Sequence, residues 1–179
     1  MERATILSGF GGQGLLFAGQ VLANAGLIDG LHVTWLPSYG PEMRGGTASC
    51  TVIVSDRTIG SPIVDRADIV VALNPPSLAK FEHLLVPGGL LVVNESLIEA
   101  TPRRTDVEIV RIPCSALARE VGDERVISIL ALGGALGRRP IVSLEAVRQA
   151  LSEKGGPKVV EMNLRALALG LERGAPVPA

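Results

Sequence analysis

Short apolar runs alternate with segments of helical spacing along the first half of the chain. The run at residues 4–8 predicts a buried strand, and the apolar positions of residues 15–25 recur at helical spacing. Residues 32–36 and 47–54 predict a second and a third strand, joined by about ten residues. A parallel crossover needs a longer connection and usually a helix. We therefore predict that these two strands are antiparallel neighbours in a mixed sheet.

The next pattern is a continuous apolar run at residues 69–73, which is typical of a strand buried on both faces. Asn74 can cap a following helix, and Pro75 suits the first helical position. We predict that this helix ends at residues 87–89, a Pro-Gly-Gly sequence. Two more strands are predicted over residues 90–93 and 107–112.

The pattern after Ser115 is helical, and it predicts four helices. Ser143 is the expected N-cap of the third helix, and Gly170 and Gly174 are interpreted as the fraying end of the last. The approximate ranges are 115–121, 127–136, a stretch after Ser143, and 158–171. The whole pattern predicts one α/β domain, residues 1–179, with a Rossmann-like mixed sheet flanked by helices in a three-layer sandwich.

A glycine-rich turn lies between the first strand and the first helix, with the sequence Gly-Phe-Gly-Gly-Gln-Gly at residues 9–14. Glycines permit tight dihedrals and a close backbone approach, and the N–H groups at a helix start favour an anion. The pattern G-x-G-x-x-G is matched, which is weak support for a dinucleotide site. Gln13 has an amide that can donate and accept at the helix start, or can simply face water.

A second candidate site is the connection that leaves the second strand. Arg44 can bind a carboxylate or phosphate through two hydrogen bonds, Glu42 can orient that group or pair across an interface, and Gly45 and Gly46 allow another backbone to approach. The alternative is a surface loop whose charges are solvated. We predict that both segments together bind a cofactor, through Gly9, Gly11, Gly12, Gln13, Gly14, Ser38, Tyr39, Glu42, Arg44, Gly45 and Gly46.

Composition narrows the classes of function. The net charge of −1 gives no indication of nucleic-acid or membrane-surface binding. Charged residues make up 20% of the chain, below the usual fraction of about 25%, which suggests surface hidden against partner proteins. No apolar run is long enough to span a bilayer and no secretory signal is visible, so we expect a cytoplasmic location.

Catalytic and metal-binding motifs are not found in the sequence. The two cysteines, Cys50 and Cys114, lack metal-ligand spacing and are interpreted as buried thiols. The two histidines, His32 and His83, have no nucleophile or acid partner pattern. We therefore predict no catalytic residue and no metal ligand in this chain.

Five segments together resemble the gamma subunit of 2-oxoacid:ferredoxin oxidoreductases across roughly residues 4–171. The separate short chain looks most like the 2-oxoglutarate type, although pyruvate, branched-chain oxoacid and indolepyruvate enzymes share the domain. The segments are Gly-Phe-Gly-Gly-Gln-Gly, Pro-Ser-Tyr-Gly-Pro-Glu-Met-Arg-Gly-Gly, Ile-Val-Val-Ala-Leu-Asn, Val-Pro-Gly-Gly and Val-Glu-Met-Asn-Leu-Arg-Ala-Leu.

The resemblance implies a role in pyruvate or related 2-oxoacid metabolism. Such enzymes decarboxylate a 2-oxoacid on thiamine diphosphate, pass electrons through iron–sulfur clusters to ferredoxin, and transfer the acyl group to coenzyme A. It implies that alpha and beta subunits are partners of this chain, with ferredoxin or a ferredoxin-like delta subunit. Thiamine diphosphate, Mg and the clusters would lie in those partners, and coenzyme A at the interface.

Two further expectations concern the chain by itself. In isolation it is expected to be inactive, and it can form a homodimer through surface meant for its partners. The alternative function is a stand-alone Rossmann-like module that binds a nucleotide or coenzyme A. For NAD(P) the predicted second strand lacks the acidic residue that would hold a ribose hydroxyl, since Pro37, Ser38 and Tyr39 follow it. For coenzyme A the sequence leaves the alternative open.

Overall fold

The computed structural model describes residues 1–38 and 47–176, which form an α/β fold. The strands are β1 (Glu2–Phe10), β2 (His32–Ser38), β3 (Thr47–Ser55), β4 (Ala67–Ala72), β5 (Leu85–Asn94) and β6 (Glu108–Ile112). The helices are α1 (Leu15–Ile28), α2 (Pro75–Phe81), α3 (Cys114–Val121), α4 (Ile127–Arg138), α5 (Leu144–Ser152) and α6 (Pro157–Gly174).

The described strands form one mixed sheet in the order β2-β3-β1-β4-β5-β6. β3 pairs antiparallel with both β1 and β2, which confirms the prediction that the second and third strands are antiparallel neighbours. β1, β4, β5 and β6 run parallel, with Leu7 of β1 opposite Val71 of β4. The predicted fold class, a Rossmann-like mixed sheet flanked by helices, is therefore confirmed.

The two faces of the sheet are covered unequally. One face, which includes Leu7 and Val92, packs against α1 and α3 to α6 in a large apolar cluster. The other face, which includes Ile6 and Val70, packs mainly against Leu78 of α2 and the segment that follows β5. Because side chains alternate along a strand, each central strand contributes to both clusters. α1 and α2 consequently lie on opposite faces.

Both predicted helix caps are present. Asn74 Oδ1 accepts a hydrogen bond of 2.8 Å from the Ser77 N–H, and Ser143 Oγ accepts one of 3.1 Å from the Ala146 N–H. The Asp29 carboxylate in turn accepts from both the N–H and the hydroxyl of Ser143, at 2.6 Å each. These contacts fix the start of α5 to the end of α1, and they follow from the residue types that the sequence places there.

The predicted end of the helix after Asn74 is wrong. α2 ends at Phe81, a 3₁₀ turn follows, and Leu85 already belongs to β5. The Pro-Gly-Gly sequence forms the irregular start of that strand, where Gly88 has a φ of 71° and its N–H donates to the Asp106 carbonyl at 2.7 Å. The Pro-Gly-Gly sequence, which predicted a helix end, is thus held at the start of a strand by a long-range backbone hydrogen bond.

The interpretation of Gly170 and Gly174 as a fraying helix end is wrong about the fraying, although α6 does end at Gly174. Both glycines are buried where α6 crosses α4 closely. A Cβ at Gly170 would collide with the carbonyl oxygen of Leu130, and one at Gly174 with that of Gly134. These glycines are needed because the backbones of α4 and α6 are in contact.

Candidate functional site

The candidate site lies at the carboxyl ends of β1 and β4, which are adjacent and parallel. The helices that follow these strands, α1 and α2, cover opposite faces of the sheet. This arrangement is the switch point at which open α/β sheets bind ligands in a crevice. Ser38 ends β2 and Thr47 begins β3 at the same edge, since Thr47 is opposite Phe10 and Ser38 is opposite Ser49.

The glycine-rich turn that follows β1 has a left-handed backbone at two positions. Gly12 has a φ of 93° and Gly14 a φ of 77°, a conformation that costs other residues roughly 1–2 kcal/mol. Gln13 closes the turn, because its side-chain oxygen accepts a hydrogen bond of 2.8 Å from the Phe10 N–H. The amide oxygen of Gln13 is therefore used inside the turn.

The start of α1 has the properties of an anion site. Gly14 is its N-cap residue, no side chain caps the helix, and its first turn contains no acidic residue. The first backbone N–H groups consequently have no partner within the helix, and the helix dipole is positive there. Such a helix start favours a phosphate or a carboxylate.

Two buried polar groups near this edge lack a hydrogen-bond partner in the described part of the chain. They are the Ser128 hydroxyl, on the first turn of α4, and the side-chain nitrogen of Asn74, at the end of β4. Ser128 Oγ abuts the turn, because a Cβ at Gly14 would lie 2.9 Å from it. An unpaired buried donor costs about 1–3 kcal/mol, so each group is suited to a ligand acceptor or an ordered water.

Arg125 lies beside the turn through its backbone. Its backbone carbonyl contacts Gly14, and its exposed guanidinium pairs with Asp123 through an Nη2–Oδ2 hydrogen bond of 2.6 Å. This hydrogen bond is the largest cause that lowers the pKa of Asp123, so that carboxylate stays ionised and paired. Sequence reasoning missed Arg125 and Ser128 because both lie far from the turn along the chain and belong to no local motif.

The predicted site residues divide into two groups. Gly9 is near the end of β1, Gly11, Gly12, Gln13 and Gly14 follow it in the turn, and the exposed Ser38 lies at the same sheet edge. A Cβ at Gly9 would lie 2.8 Å from Leu73 Cβ, so this position requires a glycine for a close approach. The remaining predicted residues lie outside the described residues: Tyr39, Glu42, Arg44, Gly45 and Gly46.

The two thiols of the chain are unsuited to redox or metal chemistry. Burial raises the pKa of Cys50 and of Cys114 to about 12, so both stay protonated and are poor metal ligands. Among residues 1–38 and 47–176, no three His, Cys, Asp or Glu side chains are grouped to hold a metal ion. None of the helices in these ranges is long and apolar enough to cross a membrane.

Comparison with protein families finds a match to the model described as pyruvate ferredoxin/flavodoxin oxidoreductase, over residues 4–173. Ketoisovalerate oxidoreductase subunit VorA of Methanothermobacter thermautotrophicus is 39% identical, over 93% of this chain and 35% of VorA. The chain therefore spans about a third of the length of that relative. The 2-oxoglutarate synthase subunit KorC of the same organism is 37% identical, over 93% of this chain and 92% of KorC.

Solved structures show the same fold. The gamma subunit of keto/oxoacid ferredoxin oxidoreductase from Geobacter sulfurreducens has a TM-score of 0.88 and 32% identity, over 97% of both chains. A 2-oxoglutarate:ferredoxin oxidoreductase from Magnetococcus marinus, solved with 2-oxoglutarate, coenzyme A and succinyl-CoA bound, has a TM-score of 0.87 and 25% identity. This second match covers 97% of the present chain and 31% of the neighbour.

Proposed function

The chain belongs to the pyruvate ferredoxin/flavodoxin oxidoreductase family, and from that premise we propose that it is the gamma subunit of a thiamine-diphosphate-dependent 2-oxoacid:ferredoxin oxidoreductase. In the whole enzyme a 2-oxoacid loses carbon dioxide, its acyl group passes to the thiol of coenzyme A, and the two electrons released reduce ferredoxin. The similarity to KorC over nearly the full length of both chains carries the proposal. VorA and KorC are named for ketoisovalerate and 2-oxoglutarate, two members of this substrate class.

We place the thiamine diphosphate, Mg and iron–sulfur clusters in partner subunits. Thiamine diphosphate would supply the electron sink for decarboxylation, and the clusters would carry electrons onward. Cluster binding requires thiolates, whereas Cys50 and Cys114 are protonated thiols in the apolar core. The isolated chain is accordingly expected to have no turnover of its own.

The contribution of this chain is proposed to be assembly and the binding of an anionic part of coenzyme A. The uncapped start of α1 offers backbone N–H groups to a phosphate, and the backbone of Arg125 and the Ser128 hydroxyl lie against the same turn. We propose that the exposed guanidinium of Arg125 also reaches this anion. The proposal extends to Arg44, whose guanidinium suits a phosphate or a partner carboxylate. The neighbour from Magnetococcus marinus contains coenzyme A, which supports this choice of ligand.

The proposed partners are the alpha and beta subunits, with ferredoxin or a ferredoxin-like delta subunit as electron acceptor. The low content of charged residues and several exposed apolar side chains, among them Leu27 and Ile63, are compatible with surface covered by other chains. In isolation such surface can support a homodimer.

An omission experiment tests this function. The alpha and beta subunits, with the electron-accepting subunit, are purified with and without this chain, and acyl-CoA formation and ferredoxin reduction are measured. We expect the chain to copurify with alpha and beta and acyl-CoA formation to be lost when it is omitted. Full acyl-CoA formation in its absence would contradict the proposal.

The alternative function is a stand-alone module that binds a nucleotide or coenzyme A. For NAD(P) it is disfavoured, because β2 ends at Ser38 and offers no carboxylate for a ribose hydroxyl. For coenzyme A, calorimetry on the isolated chain discriminates: saturable binding without any partner subunit would favour the module.

A further inference from the structure

A separate groove of about 400 Å³ runs along the outer side of α2, between this helix and the segment that connects β5 to β6. Its volume is within the range of about 300–1,000 Å³ that is usual for small-molecule sites. It lies on the thinly covered face of the sheet, and no part of the function proposed above depends on it. The lining residues on which the argument depends are Leu78, Ala79, Glu82, Ala100, Arg103 and Arg104.

The connecting segment that forms one wall of the groove is fixed at both ends. At one end, Arg111 Nη2 donates to the Ile98 carbonyl at 2.6 Å. At the other, the Arg104 backbone N–H donates to the Glu82 carboxylate at 2.7 Å, and Arg104 Nη1 donates to the Leu85 carbonyl at 2.8 Å. The wall is therefore held in place before any ligand binds, which lowers the ordering cost of binding.

The charged side chains of the groove differ in how many hydrogen bonds and ion pairs they already make within the protein. The guanidinium of Arg104 is occupied by Asp106 and by a backbone carbonyl. Arg103, by contrast, is exposed and makes no hydrogen bond or ion pair within residues 1–38 and 47–176. Glu82 is buried, and only one of its two oxygens accepts a hydrogen bond from those residues. The groove thus contains the unpaired guanidinium of Arg103 and a carboxylate oxygen of Glu82 that accepts no hydrogen bond from the described residues.

Apolar side chains form part of the remaining walls. Leu78 and Ala79 of α2 lie on one side and Ala100 on the other, with Glu82 and Arg103 among the same lining residues. A ligand that matches this lining needs an apolar body, a hydrogen-bond donor for the carboxylate, and an anionic group for the guanidinium. An adenine nucleotide has these three features, because its purine offers apolar ring faces, its exocyclic amine donates, and its phosphate matches the planar fork of Arg.

We propose that this groove binds an adenine mononucleotide, with the purine between α2 and Ala100, the exocyclic amine donating to Glu82, and the phosphate accepting from Arg103. The site is distinct from the crevice at the glycine-rich turn, so it can be tested separately. His83 and the Thr101 hydroxyl line the groove and can contribute further polar contacts to the ligand.

Calorimetry of the full chain with AMP tests the proposal, with adenosine and inorganic phosphate as partial ligands. We expect saturable AMP binding, and binding of adenosine and of phosphate at least about 10-fold weaker, because each lacks one charged or stacked contact. Arg103→Ala is expected to weaken AMP binding about 10-fold and to leave adenosine binding unchanged. The matched control Arg165→Ala, which removes an exposed arginine on α6 outside the groove, is expected to bind AMP like the wild type.

A second variant distinguishes the groove from any other adenine site. Ala79 is exposed and lines the groove, so Ala79→Phe fills it without disturbing the core, and it is expected to abolish AMP binding. Wild-type AMP binding by Ala79→Phe would place the nucleotide elsewhere and overturn the proposal. Absence of AMP binding by the wild-type chain at millimolar ligand, or equal binding by Arg103→Ala, would overturn it as well.

Discussion

Glycines are required in two regions of this protein for different physical reasons. In the turn after β1, Gly12 and Gly14 have φ values of 93° and 77°, and a side chain at Gly12 would meet no atom within 4 Å. At the crossing of α4 and α6 the backbone is helical, and space is the limit: a Cβ at Gly133 would lie 2.7 Å from the Leu167 carbonyl oxygen. The turn uses glycine for its conformation, and at Gly14 also for its small size, whereas the crossing uses glycine for its small size alone.

We expect the glycines of the turn to serve function and those of the helix crossing to serve stability. In the turn, the left-handed backbone leads into the uncapped start of α1, and the cost of other residues there is local strain. At the crossing, the glycines allow two helices of the large apolar cluster to pack in backbone contact, and none of these glycines belongs to the candidate site. We therefore expect substitutions at the crossing to affect mainly folding, and those at the turn to affect activity beyond their effect on folding.

The largest effect is expected for the double variant Gly170→Ala/Gly174→Ala. Each added methyl meets a backbone carbonyl of α4 that has no room to move. We expect a loss of about 4 kcal/mol in the free energy of unfolding, since overpacking of about 3 kcal/mol per site exceeds the gain of about 1 kcal/mol in helix propensity. Chemical denaturation measures this loss.

The matched control for the crossing is Gly60→Ala. Gly60 is exposed, has no atom within 4 Å of an added Cβ and is not in the left-handed region. Its stability should equal or slightly exceed that of the wild type. If the double variant at the crossing were as stable as Gly60→Ala, the close packing of α4 and α6 would be wrong.

Gly14→Ala combines both kinds of constraint and is expected to have the next largest effect. Its φ of 77° is unfavourable for alanine, and the added methyl would collide with the Arg125 carbonyl. We expect the free energy of unfolding to fall by about 2 kcal/mol. In the reconstituted enzyme, acyl-CoA formation should fall even at temperatures where the variant is folded. Wild-type activity of the folded variant would argue that the turn is only structural.

Gly12→Ala measures the cost of the left-handed backbone conformation to stability, separately from any steric clash. Because no atom lies within 4 Å of the added Cβ, the loss of stability should be only about 1 kcal/mol, the cost of a left-handed alanine. A thermal unfolding comparison with Gly14→Ala checks this. A loss as large as that of Gly14→Ala would show that packing constrains both positions of the turn.

Ser128→Ala is expected to have the smallest effect on stability. The Ser128 hydroxyl is buried without a partner in the described residues, so its removal should leave the isolated chain unchanged or slightly more stable. In the reconstituted enzyme the same variant should lower the apparent affinity for coenzyme A, if the hydroxyl binds the ligand. A clear destabilisation of the isolated chain would show instead that the hydroxyl has a partner within the fold.

The sequence allowed the class of fold and the caps to be predicted, because these depend on local pattern. A few neighbouring residues determine each of these features: the strand at residues 69–73, the cap at Asn74 and the short link before β3. The roles of Gly88 and Gly170 could not be predicted from local sequence pattern. Each depends on a contact with a distant segment, Asp106 for the first and Leu130 for the second.

The candidate site was predictable to the same extent. The turn at residues 9–14 is a local motif, and its place after a strand and before a helix follows from the pattern. Arg125 and Ser128 join the site only through the packing of the start of α4, and of the 3₁₀ turn before it, against Gly14. Local pattern contains no information on which distant side chains fill the space around a turn.

The most direct test of the account is the dependence of acyl-CoA formation on coenzyme A concentration in the reconstituted enzyme. The backbone of Arg125 lies beside the turn and its guanidinium is exposed, so Arg125→Ala should leave folding intact; if the guanidinium reaches the coenzyme, it should raise the apparent KM for coenzyme A about 10-fold, with little change in kcat. Arg165→Ala, an exposed arginine of α6, should behave as the wild type. An unchanged KM for coenzyme A in Arg125→Ala would contradict the assignment of the turn as the coenzyme-facing part of this subunit.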